Sequence, residues 1–106
     1  MRAPDFEQRV TRGLAHWVIS VNHDPVTQKL AVELTHAPGG SKTQRVLEFA
    51  DVSLLKNTWI AREEDCQEGL IGAHEEVISS GIRYAFVTDQ REITFEIRTQ
   101  LRIYEM

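Results

Sequence analysis

The stretch that decides the fold is residues 15–50, AHWVISVNHDPVTQKLAVELTHAPGGSKTQRVLEFA. Trp17, Ile19 and Val21 alternate with His16, Ser20 and Asn22 before Asp24-Pro25-Val26-Thr27, and Leu30, Val32 and Leu34 alternate with Ala31, Glu33 and Thr35 after it. Period two places alternate side chains on one face of a strand. Asp followed by Pro suits the first two positions of a type I turn, because the proline ring pre-sets φ. A four-residue loop there pairs His23 with Gln28, and hence Val21 with Leu30, Ile19 with Val32 and Trp17 with Leu34. A one-residue slip would turn a whole strand over, so a turn that brings the apolar sets together supports the hairpin.

The same logic extends outward. Gly39-Gly40 provides the positive φ of a tight turn, and centring the hairpin there pairs Val32 with Leu47 and Leu30 with Phe49. The expected core face is Trp17, Ile19, Val21, Leu30, Val32, Leu34, Leu47 and Phe49. His16, Ser20, Glu33 and Glu48 fall on the other face, with Val18 and Val46 as apolar exceptions. Towards the C-terminus, Asp89-Gln90 separates two further alternating runs. It predicts the pairs Ile82 with Ile97, Tyr84 with Phe95, Phe86 with Ile93 and, outside, Arg83 with Glu96. A straight strand from Arg91 to Tyr104 would run roughly 45 Å at ~3.3 Å per residue, which predicts a bend near Thr99-Gln100.

Between these units the pattern is less decisive. Ser53 is placed to cap a short helix carrying Leu55 and Trp59. Residues 64–78 fit a helix with the stripe Leu70, Ile71, His74, Val77 and Ile78, or a strand that turns through Ser79-Ser80-Gly81. Gly69 and Gly72 favour the strand, since each costs a helix roughly 0.8–1 kcal/mol against Ala. At the N-terminus, Asp5 as N-cap, Phe6 and Val10 on one face and Gly13 as terminator outline a short helix. The expected fold is mainly β: antiparallel meanders at about 15–50 and 70–104 around one core, with one or two short helices. The alternative is α+β, with a helix at about 64–78.

At 106 residues, 42% apolar and 26% charged, the chain suits one domain, residues 1–106, with a single core. A lone Cys66 excludes an internal disulfide. No run approaches the ~18 apolar residues of a membrane helix, and residues 2–13 lack the apolar core of a secretory signal, so a cytoplasmic protein is expected. Twelve Lys+Arg against sixteen Asp+Glu argue against a nucleic-acid footprint. The acids Glu63, Glu64, Asp65, Glu68, Glu75 and Glu76 occupy a segment with no Lys or Arg between Glu63 and Ile82. That segment is a solvated face or a surface that attracts a basic partner.

Catalytic and metal-binding patterns are missing from the sequence. There is no nucleophile elbow, phosphate-binding loop, zinc cysteine pair or His-Glu-x-x-His. On the expected registers His16 and His36 lie on opposite sides of the sheet and cannot share a ligand. His23 with Asp24 sits at a turn where the aspartate has a structural task. His74 lies within the acidic stretch, and carboxylates beside Cys66 should raise its thiol pKa. No catalytic residue, metal site or cofactor is assigned.

Val46-Leu47-Glu48-Phe49-Ala50-Asp51-Val52, with Tyr84-Ala85-Phe86-Val87-Thr88-Asp89 and Glu92-Ile93-Thr94-Phe95, resembles small β-rich bacterial proteins of the toxin-immunity type. The resemblance covers about half of the chain and rests on generic strand chemistry. It implies a non-enzymatic module that binds and blocks a partner toxin, and the acidic stretch 63–76 makes a basic partner the expected one. Two other readings stand beside it. One is a small enzyme or ligand-binding domain using His23/Asp24 or His74 in a pocket. The other is a β subunit that forms homo-oligomers through an exposed strand.

Overall fold

The C-terminal hairpin forms in the register its two-residue turn dictates. In the computed structural model, β6 (Gly81–Thr88) pairs with β7 (Arg91–Ile97) through Ile82 with Ile97, Tyr84 with Phe95 and Phe86 with Ile93. The structure describes residues 6–40, 42–61, 67–98 and, as backbone, 102–105. Thr88 secures the turn: its hydroxyl oxygen accepts from the N–H groups of Gln90 and Arg91 at 3.1 and 2.9 Å.

The segment that read as helix or strand is β5 (Glu68–Ile78), antiparallel to β6, so the helical alternative falls. The turn into β6 has two residues, Ser79-Ser80, rather than three, because Ile78 already pairs with Gly81. Gly81 has φ +150°, and a Cβ there would run into the carbonyl of Ile97, so only glycine fits. The helix expected after Ser53 is likewise a strand, β4 (Ser53–Trp59), on the free edge of β7. Pairing decides this: β7 presents a row of unpaired backbone groups, and β4 satisfies them.

The N-terminal meander comprises β1 (Trp17–Asp24), β2 (Lys29–Thr35) and β3 (Arg45–Phe49). Leu30 pairs with Phe49 and Val32 with Leu47, as Gly39-Gly40 predicts. The first hairpin differs. Asp24 Oδ1 accepts from Val26 N at 2.9 Å, Gln28 takes φ 57°, and Asp24 therefore faces Lys29. Val21 consequently meets Val32 rather than Leu30. A bulge between Val18 and Ser20 then reverses the parity, so that Val18 pairs with Leu34 and Trp17 with Thr35. Val18 joins the core at 9% exposure, whereas Trp17 and Ile19 are only half-buried.

Eight strands are present among the described residues, in the order β4-β7-β6-β5-β1-β2-β3-β8. β8 (Arg102–Glu105) pairs with β3, so it has left the second meander and closes the first. The bend expected at Thr99-Gln100 lies outside the described residues. The sheet folds over where β1 meets β5 through only Trp17 with Gly69 and Val18 with Glu68. This brings Phe49 of β3 onto the other layer, 5.0 Å from Tyr84 and 4.7 Å from Phe95 between ring centres. Phe86 completes the aromatic centre, edge-on to Phe49 and stacked on Phe95, and such contacts add to the burial of each ring.

The N-terminal helix α1 (Phe6–Thr11) buries Phe6 and Val10, the two residues expected to share a face. Phe6 packs on Tyr84 and Phe86 at 4.9 and 5.7 Å. Arg12 and Gly13 both take positive φ and end the helix, and Leu14 N donates to Thr11 O. The N-cap assigned to Asp5 lies outside the described residues.

Candidate functional site

The bulge in β1 assembles a site that the sequence registers keep apart. Because Trp17 pairs with Thr35, the flanking residues His16 and His36 come to the same end of the β1–β2 pair. Their rings meet edge to face, with centres 5.9 Å apart. The expectation that they lie on opposite sides is thus corrected. Its error was to run a regular strand through Ile19.

The two histidines line a cleft of about 190 Å³ together with Thr11, Arg12 and Leu14 from the end of α1 and Gln44 and Arg45 from the start of β3. Two arginines and two histidines line it, with no acid among the described residues, in a chain of formal charge −4. Arg45 is buried at 6% exposure, and its Nη1 donates to Val10 O at 2.5 Å, at the electronegative end of α1. Gln44 is fixed through its carbonyl, which accepts from Thr35 Oγ1 at 2.8 Å and from His36 N at 2.9 Å. Its Nε2 finds no acceptor among the described residues. Thr11 has its hydroxyl turned back to Glu7 O, and Leu14, 56% exposed, forms an apolar rim.

His16 is 4% exposed, and its Nδ1 lies 3.0 Å from Leu14 O. A carbonyl only accepts, so Nδ1 carries the proton and the neutral ring has a bare Nε2. Burial holds the His16 pKa below its ordinary value. The Leu14 hydrogen bond opposes this, and the charges of Arg45 and His36 add to it.

The acidic stretch takes a different form in space. Glu63, Glu64 and Asp65 lie outside the described residues, as does Cys66. Glu68 faces inward and binds Arg91 in a two-pronged pair, 2.7 Å to Nε and 3.0 Å to Nη2, while Thr88 donates to it at 2.7 Å. Glu75 is held by Arg9 and by the Tyr84 hydroxyl, both at 2.7 Å. Glu76, with 68% of its side chain exposed, has only a long 3.8 Å contact to Arg83. The segment lacks a cation along the chain, but α1, β6 and β7 supply Arg9, Arg83 and Arg91 across it.

The other histidines stand apart from this cleft. His23 and Asp24 line an open groove of about 380 Å³ beside Lys29 and Glu48. There Asp24 Oδ1 accepts from the turn's N–H groups, which hold its pKa low. His74 is exposed on β5 and makes no hydrogen bond among the described residues. No three metal-ligating side chains converge among the described residues. No helix among them is long and apolar enough to cross a membrane. The β4 edge exposes Leu54 and Ile60, at 72% and 71%, but it carries a bulge and Lys56, features that discourage strand addition.

No protein-family model, curated protein or solved structure was found to match this chain. Sequence reasoning missed Arg12, Gln44 and Arg45 as site residues. Their only sequence signal is position, at the ends of elements that the bulge brings together.

Proposed function

We propose that this protein is a binding domain that takes up a small oxyanion in the cleft between α1, β1, β2 and β3. One observation carries the reading: the side chains of Arg12, His16, His36, Gln44 and Arg45 line one cleft. Guanidinium groups and an amide N–H are the donors an oxyanion needs. The cleft suits a small ion or the anionic end of a larger molecule. Titration with inorganic phosphate, followed by NMR, tests it. The His16 and His36 ring resonances and the Gln44 side-chain amide should move together and saturate. The exposed variants Arg12→Gln and His36→Gln should weaken binding at least several-fold. Unmoved resonances at millimolar phosphate would remove the reading.

A second reading, kept from the resemblance, is a non-enzymatic module of the immunity type that blocks a basic partner. The exposure of Glu76 favours it, together with the charge of Glu63, Glu64 and Asp65. Salt rising past ~0.1 M should then slow association, where the Debye length is roughly 10 Å. A salt-independent on-rate would rule it out. A cytoplasmic location belongs to this proposal.

A further inference from the structure

We infer that the outer edge of β5, at Glu75 to Val77, docks a basic extended segment of a partner protein, which adds there as a further strand. The inference rests on the basic-partner reading above and gives that partner a place. β5 is paired with β6 from Leu70 to Ile78, but β1 meets it only at Glu68 and Gly69, with Leu70 N donating to His16 O. The chain leading into β1 comes from α1 rather than running on beside β5. The helix covers the next stretch of edge, where Glu7 Oε1 accepts from Ala73 N at 3.3 Å.

Past Ala73 the edge is open. Ile78 and Gly81 close a two-residue turn, so Ile78, Glu76 and His74 direct their backbone groups to β6, and Glu75 and Val77 direct theirs away from it. Ala73 has the same parity as Glu75 and Val77, and its N–H does leave the sheet for Glu7. The N–H and C=O groups of Glu75 and Val77 find no partner among the described residues, and Val77 is 81% exposed. Such a row is a template for main-chain hydrogen bonds to an added strand, and the side chains beside it set what that strand carries.

Charge selects the occupant. Glu76 has 68% of its side chain exposed and a 3.8 Å contact to Arg83, whose closer bond of 3.2 Å goes to Glu96. Glu75, on the opposite face, is already paired with Arg9 at 2.7 Å. A strand laid along this edge thus meets an open carboxylate on one face and the apolar Val77 on the other. That calls for lysine or arginine alternating with apolar residues. A second copy brings the same acids and the same formal charge of −4, and antiparallel pairing centred on Glu76 sets that residue against itself. The β4 edge would set Lys56 against a basic strand, whereas β5 sets an acid.

The probe is a blocked peptide of alternating lysine and valine, about six residues long, titrated into the full chain and followed by NMR. Amide exchange at Glu75 and Val77 should slow by at least roughly tenfold when it binds. N-methylation of its valines keeps the charge and removes the donors that face Glu75 and Val77, so affinity should fall by at least roughly tenfold. A glutamate–valine peptide should not bind. Glu76→Gln, an exposed change, should weaken the lysine peptide by roughly two- to fivefold.

Salt-sensitive binding of the lysine peptide without protection of Glu75 and Val77, or equal binding of its N-methylated form, would overturn the edge and leave the basic-partner reading standing. Equal binding of the glutamate peptide, or no binding of the lysine peptide, would remove both. Protection of the two amides in the free chain, rising with its concentration, would give the edge to a second copy and overturn the inference.

Discussion

The ring of His16 stands edge-on to that of His36, 5.9 Å away and tilted by 70°, with Arg45 beside the pair. Both histidines flank residues that face each other, Trp17 and Thr35, and the bulge after Val18 sets that pairing. One extra residue in one strand thus creates the cleft and moves Val18 into the core.

The bulge is tested by comparing Val18→Ala with Ile19→Ala. Val18 is buried and pairs with Leu34, so its loss should cost about 2 kcal/mol, from two methyl groups and the space they leave. Ile19 is half-buried, and its truncation should cost less despite removing more carbon. Urea melts of the two variants give the order, and a larger loss at Ile19 would contradict the bulge.

Phe95→Ala should cost roughly 3–5 kcal/mol. Phe95 is 1% exposed and touches the rings of Phe49, Tyr84 and Phe86, so the cavity would open where the two layers meet. A denaturant midpoint close to that of the parent protein would show that the layers are not joined there.

Glu68 is expected to matter for folding rather than for partner steering. The side chains of Glu68 and Arg91 are 11% and 10% exposed, and Glu68→Gln leaves a buried guanidinium uncompensated, at a cost of about 3–5 kcal/mol. Glu96→Gln breaks the more exposed pair with Arg83 and should cost below about 1 kcal/mol. Thermal and urea melts of both variants make the comparison. Similar losses would mean that Glu68 is solvated.

Stability should depend on pH through His16. Its folded pKa lies below the ordinary 6.5, so the unfolded chain takes up the proton first as pH falls. This contribution is full above about pH 6.5 and is lost as pH drops below it towards the folded value. Tyr84 acts at the other end. Burial and its bond to Glu75 raise its pKa, so its contribution is full below the ordinary 10.0 and declines as pH rises above it. Urea melts across the pH range should show both slopes. Replacing His16 with Gln should flatten the acid one.

A chelator should leave the thermal midpoint unchanged, since no three metal-ligating side chains converge among the described residues. A drop of several degrees on adding EDTA would point to a bound metal.

The sequence by itself determined the β architecture and two of the hairpin registers. Where a short turn joins two alternating runs, as at Asp89-Gln90, one register buries both apolar sets, and Tyr84 meets Phe95 with no help from the rest of the chain. The glycines of β5 tilted the balance towards strand on the same local grounds, without removing the helical alternative. Tertiary structure alone decided the rest. A bulge is stable only if what it re-aims finds a place, and the depth available for Val18 depends on the opposite layer. β4 became a strand because β7 had an unpaired edge, a fact about a neighbour some forty residues away. Charge behaved alike: the sequence displays the acids of 63–76, but Arg9 and Arg91 reach Glu75 and Glu68 only once the sheet has formed. The histidines were visible as residue types, and their meeting was not. Local propensity and turn chemistry act over a few residues, whereas a cleft is made by chain segments that only the folded packing brings together.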